Sequence, residues 1–147
     1  MSDTNEIKKA PWHLWTIGIV SLLWNAMGAM DFVMTQTKNE AYMSEFTPEQ
    51  LEFFYGFPIW LVVTWGVAVW GAVIGSILLL LRKTLAVWVF LISFLSMVIT
   101  SIHNFVFSNG LEAMGGLLPL IFTTIIFIVG LGLFIYARKM NQNGFLS

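Results

Sequence analysis

The chain has 147 residues, 58% of them hydrophobic and only 10% charged, with a formal net charge of −1 and no cysteine. A soluble domain carries about 25% charged residues, so this chain lacks the groups to cover a surface that faces water. The near-neutral charge excludes a basic nucleic-acid-binding face, and the missing cysteine removes disulfides, thiolate metal sites and cysteine nucleophiles together.

Residues 1–11 are polar, carry Lys8 and Lys9, and end at Pro11. A helix that crosses a bilayer needs roughly 20 apolar residues, and four stretches qualify: 12–34, 59–81, 85–107 and 117–137. Asp31 is the only charged residue inside them, apart from the ends. The expected fold is all-α, a single integral membrane domain over 1–147 built as a four-helix up-down bundle. Lys8 and Lys9 followed by Ala26-Met27-Gly28 imitate a signal peptide and its cleavage site. The apolar run continues through Phe32, Val33 and Met34, so a retained first span is expected.

Lys and Arg in the connections set the orientation. Lys8 and Lys9, Arg82 and Lys83, and Arg138 and Lys139 fall on one side if spans alternate, against Lys38 alone on the other. Both termini are therefore expected in the cytoplasm, and the segment 35–58 outside. That segment is acidic, with Glu40, Glu45, Glu49 and Glu52, and it contains a helix start. Thr47 is an N-cap, Pro48 suits the first helical position, and Gln50 completes a capping box. Phe46 and Leu51 make the matching hydrophobic staple, and Glu49 and Glu52 suit the helix dipole. A short helix over 48–55 is expected, with Leu51, Phe54 and Tyr55 on one face. It lies on the membrane surface or caps the bundle, as a ramp into the second span or as a lid.

In the second span Trp60, Trp65 and Trp70 recur every five positions and so spread around the helix. Gly71 and Gly75, in GxxxG spacing and with Ala68 and Ala72 nearby, make a small-residue face for close helix contact or self-association. The turn at Arg82-Lys83-Thr84 makes spans two and three a tight antiparallel hairpin. The third span carries a polar stripe of Ser93, Ser96, Thr100 and His103 or Asn104, which reads as interhelical glue or as a solute path. After the 108–116 loop, with Glu112 and Gly115-Gly116, the fourth span is rich in Ile, Leu and Phe and is expected to face lipid, with Pro119 tolerated in its first turn.

Ionisable groups at membrane depth raise a functional question. Asp31 lies 19 residues after Trp12 and His103 lies 18 after Leu85, so both sit roughly 27–29 Å along their helices. Asn25, Gly28 and Asp31 share one side of the first span, and Ser96, Thr100, His103 and Asn104 one side of the third. If those faces meet, an Asp31–His103 pair closes a polar seam that reaches down to Asn25. The alternative leaves Asp31 in the wet interface and His103 solvated or bonded to a carbonyl. Met27, Met30 and Met34 share a side of the first span, a pattern open to Cu(I) but equally to packing. No metal, cofactor or catalytic set is expected, since a Ser–His–acid grouping lacks the strand-turn-helix context of a nucleophile.

The strings Leu23-Trp24-Asn25-Ala26-Met27-Gly28-Ala29-Met30-Asp31, Val33-Met34-Thr35-Gln36-Thr37, Ala41-Tyr42-Met43, Phe46-Thr47-Pro48-Glu49-Gln50 and Tyr55-Gly56-Phe57-Pro58 resemble a group of small bacterial four-helix membrane proteins. The resemblance covers residues 11–110. It implies the bacterial inner membrane and marks Asn25, Asp31 and residues 47–58 as family features, but it names no activity. Some members carry an automatic sugar-transporter label, yet this chain has neither the inverted repeats nor the interrupted helices of a secondary carrier. The expected function is a non-enzymatic membrane protein acting with itself or with partner membrane proteins. An oligomeric transporter of a small, sugar-like solute, with a path between spans one and three, is the alternative.

Overall fold

The computed structural model describes residues 8–107, Glu112 and residues 117–147. Among them every element is helical: α1 (Trp12–Gln36), α2 (Glu40–Met43), α3 (Pro48–Tyr55), α4 (Ile59–Leu80), α5 (Leu85–Ile102) and α6 (Leu117–Gln142). A five-residue π-helical turn, His103–Phe107, continues α5. The spans Trp12–Gln36, Ile59–Leu80, Leu85–Phe107 and Leu117–Gln142 are each long and apolar enough to cross a membrane.

Local chemistry explains the element ends. Pro11 and Pro58 stand immediately before α1 and α4 in extended conformation, where a missing N–H removes no helical bond. Three ends, those of α1, α4 and α6, close alike. A residue in the left-handed region (Lys38 at φ 53°, Arg82 at φ 59°, Gly144 at φ 83°) turns the chain. The next amide reaches back across the last turn: Asn39 N–H to Met34 O, Lys83 N–H to Leu78 O, and Phe145 N–H to Met140 O. This is the Schellman closure, for which glycine is the usual residue. Lys38 and Arg82 hold it at a strain of about 1 kcal/mol each.

α4 packs against both α1 and α5, and α5 also packs against α6. Small residues allow the close approach. A Cβ added to Gly75 would lie 2.7 Å from the Phe90 ring, and one on Gly71 3.0 Å from the Ser93 Cβ. Ala68 is buried beside them. The expected small-residue face thus meets α5, one turn after another. On the other side of α4, Gly18 of α1 accepts the end of Leu80, and Phe32 lies over Gly66.

The core cluster, which includes Leu14, Leu79, Ala86, Phe90, Leu133, Ala137 and Met140, sits at one end. There the chain after α6 folds back over the α4–α5 turn. Leu146 is only 5% exposed. Lys8 N–H donates to Gly144 O, Thr84 N–H to Ser147 O, and Ser147 N–H to Arg82 O. The Arg82 guanidinium donates to Phe145 O and Lys8 O, the Thr84 hydroxyl donates to Asn141, and Lys8 lies over the Phe145 ring. His13 Nδ1 and the Tyr136 hydroxyl, 2.6 Å apart, tie α1 to α6 nearby. The three basic segments singled out in the sequence therefore meet at one end.

Candidate functional site

Several polar residues of α1 and α5 are held by neighbours on α4 and in the loop before it. Asn25 Nδ2 donates to Ser76 Oγ at 2.9 Å and to Ala72 O at 3.2 Å. Ser76 itself donates to Ala72 O and is fully buried. From the other side, Ser93 Oγ donates to Ala68 O at 2.5 Å. Thr100 donates back to Ser96 O within its own helix, as hydroxyls in membrane helices often do. His103 Nδ1 lies 3.4 Å from Asn104 Oδ1.

Asp31 takes a different partner. Asn39 caps α2, its side chain accepting from Tyr42 N–H, and that single turn delivers the Tyr42 hydroxyl to the Asp31 carboxylate as a donor. Burial, and then the bond and charge of Asp31, push the Tyr42 phenol up from its usual 10.0 to about 12. A phenol so held remains a hydrogen-bond donor across the physiological range.

His103 stands edge-on to Trp60, ring centres 5.5 Å apart, and to Phe57 at 6.1 Å. These rings belong to an aromatic cap. Phe57 and Phe54 both reach Trp65, Trp65 meets Phe32 edge-to-face at 4.9 Å, and Phe46 packs on Phe54. The cap is aimed by α3, whose capping box forms as expected: Gln50 N–H donates to Thr47 Oγ1, and Thr47 N–H to Gln50 Oε1. Lys38 lies over the Tyr55 ring, 4.7 Å from its centre.

Of the expected pair, Asp31 is held by Tyr42, whereas His103 lies beside Asn104 and packs on Trp60 and Phe57. Gly18 faces Leu80, Gly28 faces Val69, and Phe32 faces Gly66, so numbers on α1 rise as those on α4 fall. Gly75 facing Phe90 and Gly71 facing Ser93 continue the relation into α5. Carried across both interfaces, Asp31 comes level with about Met97, roughly six residues or ~9 Å short of His103. Of the seam expected between α1 and α5, Asn25 and Ser93 bond to α4, Asp31 is held by Tyr42, and Thr100 bonds within α5.

Two grooves lie along α5 and α6. One, of about 290 Å³, includes Trp88, Phe134 and Arg138; the other, of about 390 Å³, includes Ser101, Phe105, Thr123 and Phe127. Neither is lined by Asn25, Asp31, Ser96, Thr100, His103 or Asn104. Met27 and Met30 are exposed on α1. No group of three or more His, Asp and Glu among the described residues is placed to hold a metal ion. Sequence reading missed Tyr42 and Ser76 as partners. Asn39 as a helix cap was the available signal for Tyr42, whereas Ser76 carried none until the register was known. No protein-family model matches the chain, and neither curated proteins nor solved structures give a match.

Proposed function

We propose that the chain is a non-enzymatic protein of a bacterial cytoplasmic membrane, an up-and-down four-helix bundle with both termini inside. It acts by packing against itself or against partner membrane proteins, as an accessory or assembly subunit. Four helices of spanning length support the placement. Lys8, Arg82 and the residues after Arg138 gather at one end, where the positive-inside rule puts the cytoplasm. Exposed Trp12, Trp15 and Trp88 near that end and Trp60 at the other suit the two aromatic belts of a bilayer.

The observation that carries the partner role is the division of labour among the helices. Polar side chains of α1 and α5 are used to hold α4, while α6 leaves Ile121, Ile125, Ile128, Leu131 and Ile135 exposed. A face of that kind calls for lipid or another helix. The transport alternative needs a path where α4 stands, and Asn25, Asp31 and Thr100, which would line it, are bonded within the protein.

Crosslinking in membranes tests the reading, because the chain has no cysteine of its own. Ile128→Cys, on the exposed face, should give a discrete crosslinked species. Leu133→Cys, buried on the same helix, should give none. A monomer at every exposed α6 position, with solute uptake by proteoliposomes of the purified chain, would replace this reading with transport.

A further inference from the structure

α5 and α6 meet closely at mid-length, where the Phe94 and Phe127 rings are 5.1 Å apart and a Cβ on Gly130 would lie 3.3 Å from Phe94. Toward the basic end they leave the groove of about 290 Å³. Its walls, Val87, Leu91 and Phe134, are apolar. Trp88, Arg138, Asn141 and Gln142 complete its lining.

The geometry points to this groove as a binding site for one anionic glycerophospholipid, its acyl chain along the apolar wall and its phosphate on Arg138. The site rests on the membrane placement proposed above. Arg138 directly follows the apolar run of α6 and Trp88 lies in the first turn of α5, so in a spanning protein both stand at headgroup level. Arg138 has no hydrogen-bond or ion-pair partner among the described residues. Its planar fork suits two phosphate oxygens at once. The Asn141 and Gln142 amides can donate to the remaining phosphate or glycerol oxygens, and Trp88, 60% exposed, offers an indole to the interface.

Charge selects the lipid class. Neither α5 nor α6 contains an acidic residue, and none occurs in residues 8–11, 82–84 or 143–147 at the same end. A zwitterionic headgroup would therefore bring an ammonium beside Arg138 and Lys139, cation against cation. An anionic headgroup brings no second cation to that end of the groove. The apolar wall in turn favours a lipid over free phosphate, which would leave it unused.

Native mass spectrometry of the full chain in mild detergent, titrated with phosphatidylglycerol and with phosphatidylcholine of the same acyl chains, tests the site. The wild type should prefer phosphatidylglycerol. R138Q should bind it about tenfold more weakly, the loss of one charge-assisted contact. L91W, which fills the groove and keeps the charge, should also weaken it, whereas K83Q, outside the groove, should not. Equal binding of the two lipids, an R138Q chain that binds like the wild type, or displacement by inorganic phosphate would overturn the site. Alkaline carbonate extraction separates this outcome from failure of the underlying reading. A chain released by carbonate is not embedded and both fall, while a retained chain without lipid preference removes the site alone.

Discussion

Gly75→Ala is the most direct test of the contact that joins α4 to α5. In an isolated helix the change is favourable by about 0.8–1 kcal/mol, because alanine loses less backbone freedom. Here the new Cβ would stand 2.7 Å from two atoms of the Phe90 ring. Carbon contacts are optimal at about 3.5–4.0 Å, so roughly 1 Å must be found. Phe90 is 3% exposed and has no free side to move into, so overpacking of about 1–3 kcal/mol outweighs the propensity gain. The expected net loss is about 1 kcal/mol, read as a lower thermal midpoint in mild detergent by near-ultraviolet circular dichroism. Two controls make the argument specific. Gly18→Ala approaches Leu80 even more closely, at 2.5 Å, but meets the end of a flexible side chain and should lose less. Gly132→Ala meets nothing within 4 Å and should be neutral or stabilising. Phe90→Leu should partly rescue Gly75→Ala in a double-mutant cycle, since the two residues share the contact. A Gly75→Ala protein as stable as Gly132→Ala would refute the packing account.

Other expectations follow from the loop and from the charge distribution. Thr47→Ala removes a formed capping box and should lower local stability by about 1 kcal/mol; hydrogen exchange should quicken over residues 48–55, and unchanged exchange there would contradict the cap. The Tyr42 phenol has a folded value raised from 10.0 to about 12, so the stability it contributes is present below pH 10 and lost as pH rises toward 12. Phenolate absorbance, wild type minus Y42F, should show this late titration, and D31N should bring it only part of the way down because burial is the largest cause; ionisation at the ordinary pH would disprove the tie. Single-cysteine labelling of intact cells should succeed at Glu40→Cys and fail at Lys83→Cys, and the reverse pattern would invert the orientation.

The parts of the fold legible in sequence are those fixed by composition or by neighbours a few residues apart. Four apolar runs needed only counting, and the helix over Pro48–Tyr55 was readable to the residue because Thr47, Pro48 and Gln50 act on one another locally. The true end of α6 was not. Its apolar run stops at Ala137, but Arg138, Lys139, Met140 and Gln142 all favour helix and carry it to Gln142. The fold-back of Gly144 to Ser147 was also invisible, since it depends on Arg82 and Thr84, about 60 residues earlier. Arg82 carried no sign of its left-handed backbone, because that position usually selects glycine.

The polar site shows what depth arguments from sequence leave out. Matching Asp31 with His103 assumed that α1 and α5 begin at one level, which composition cannot establish. Here the long helices that follow one another in the chain pack together, α1 on α4, α4 on α5 and α5 on α6, so α1 and α5 are related through α4. The small residues of α4 fix the register: Gly66 under Phe32 on one face, Gly71 and Gly75 under Ser93 and Phe90 on the other. Such close approaches cannot slide by a turn without driving a bulky side chain into a ring. Asn25 consequently finds Ser76 and Ala72 O, and Ser93 finds Ala68 O, each on the antiparallel neighbour. Asp31 lies near the end of α1, and the loop that follows brings it the phenol of Tyr42. The close approaches at Gly66, Gly71 and Gly75 therefore set the register in which these polar groups meet.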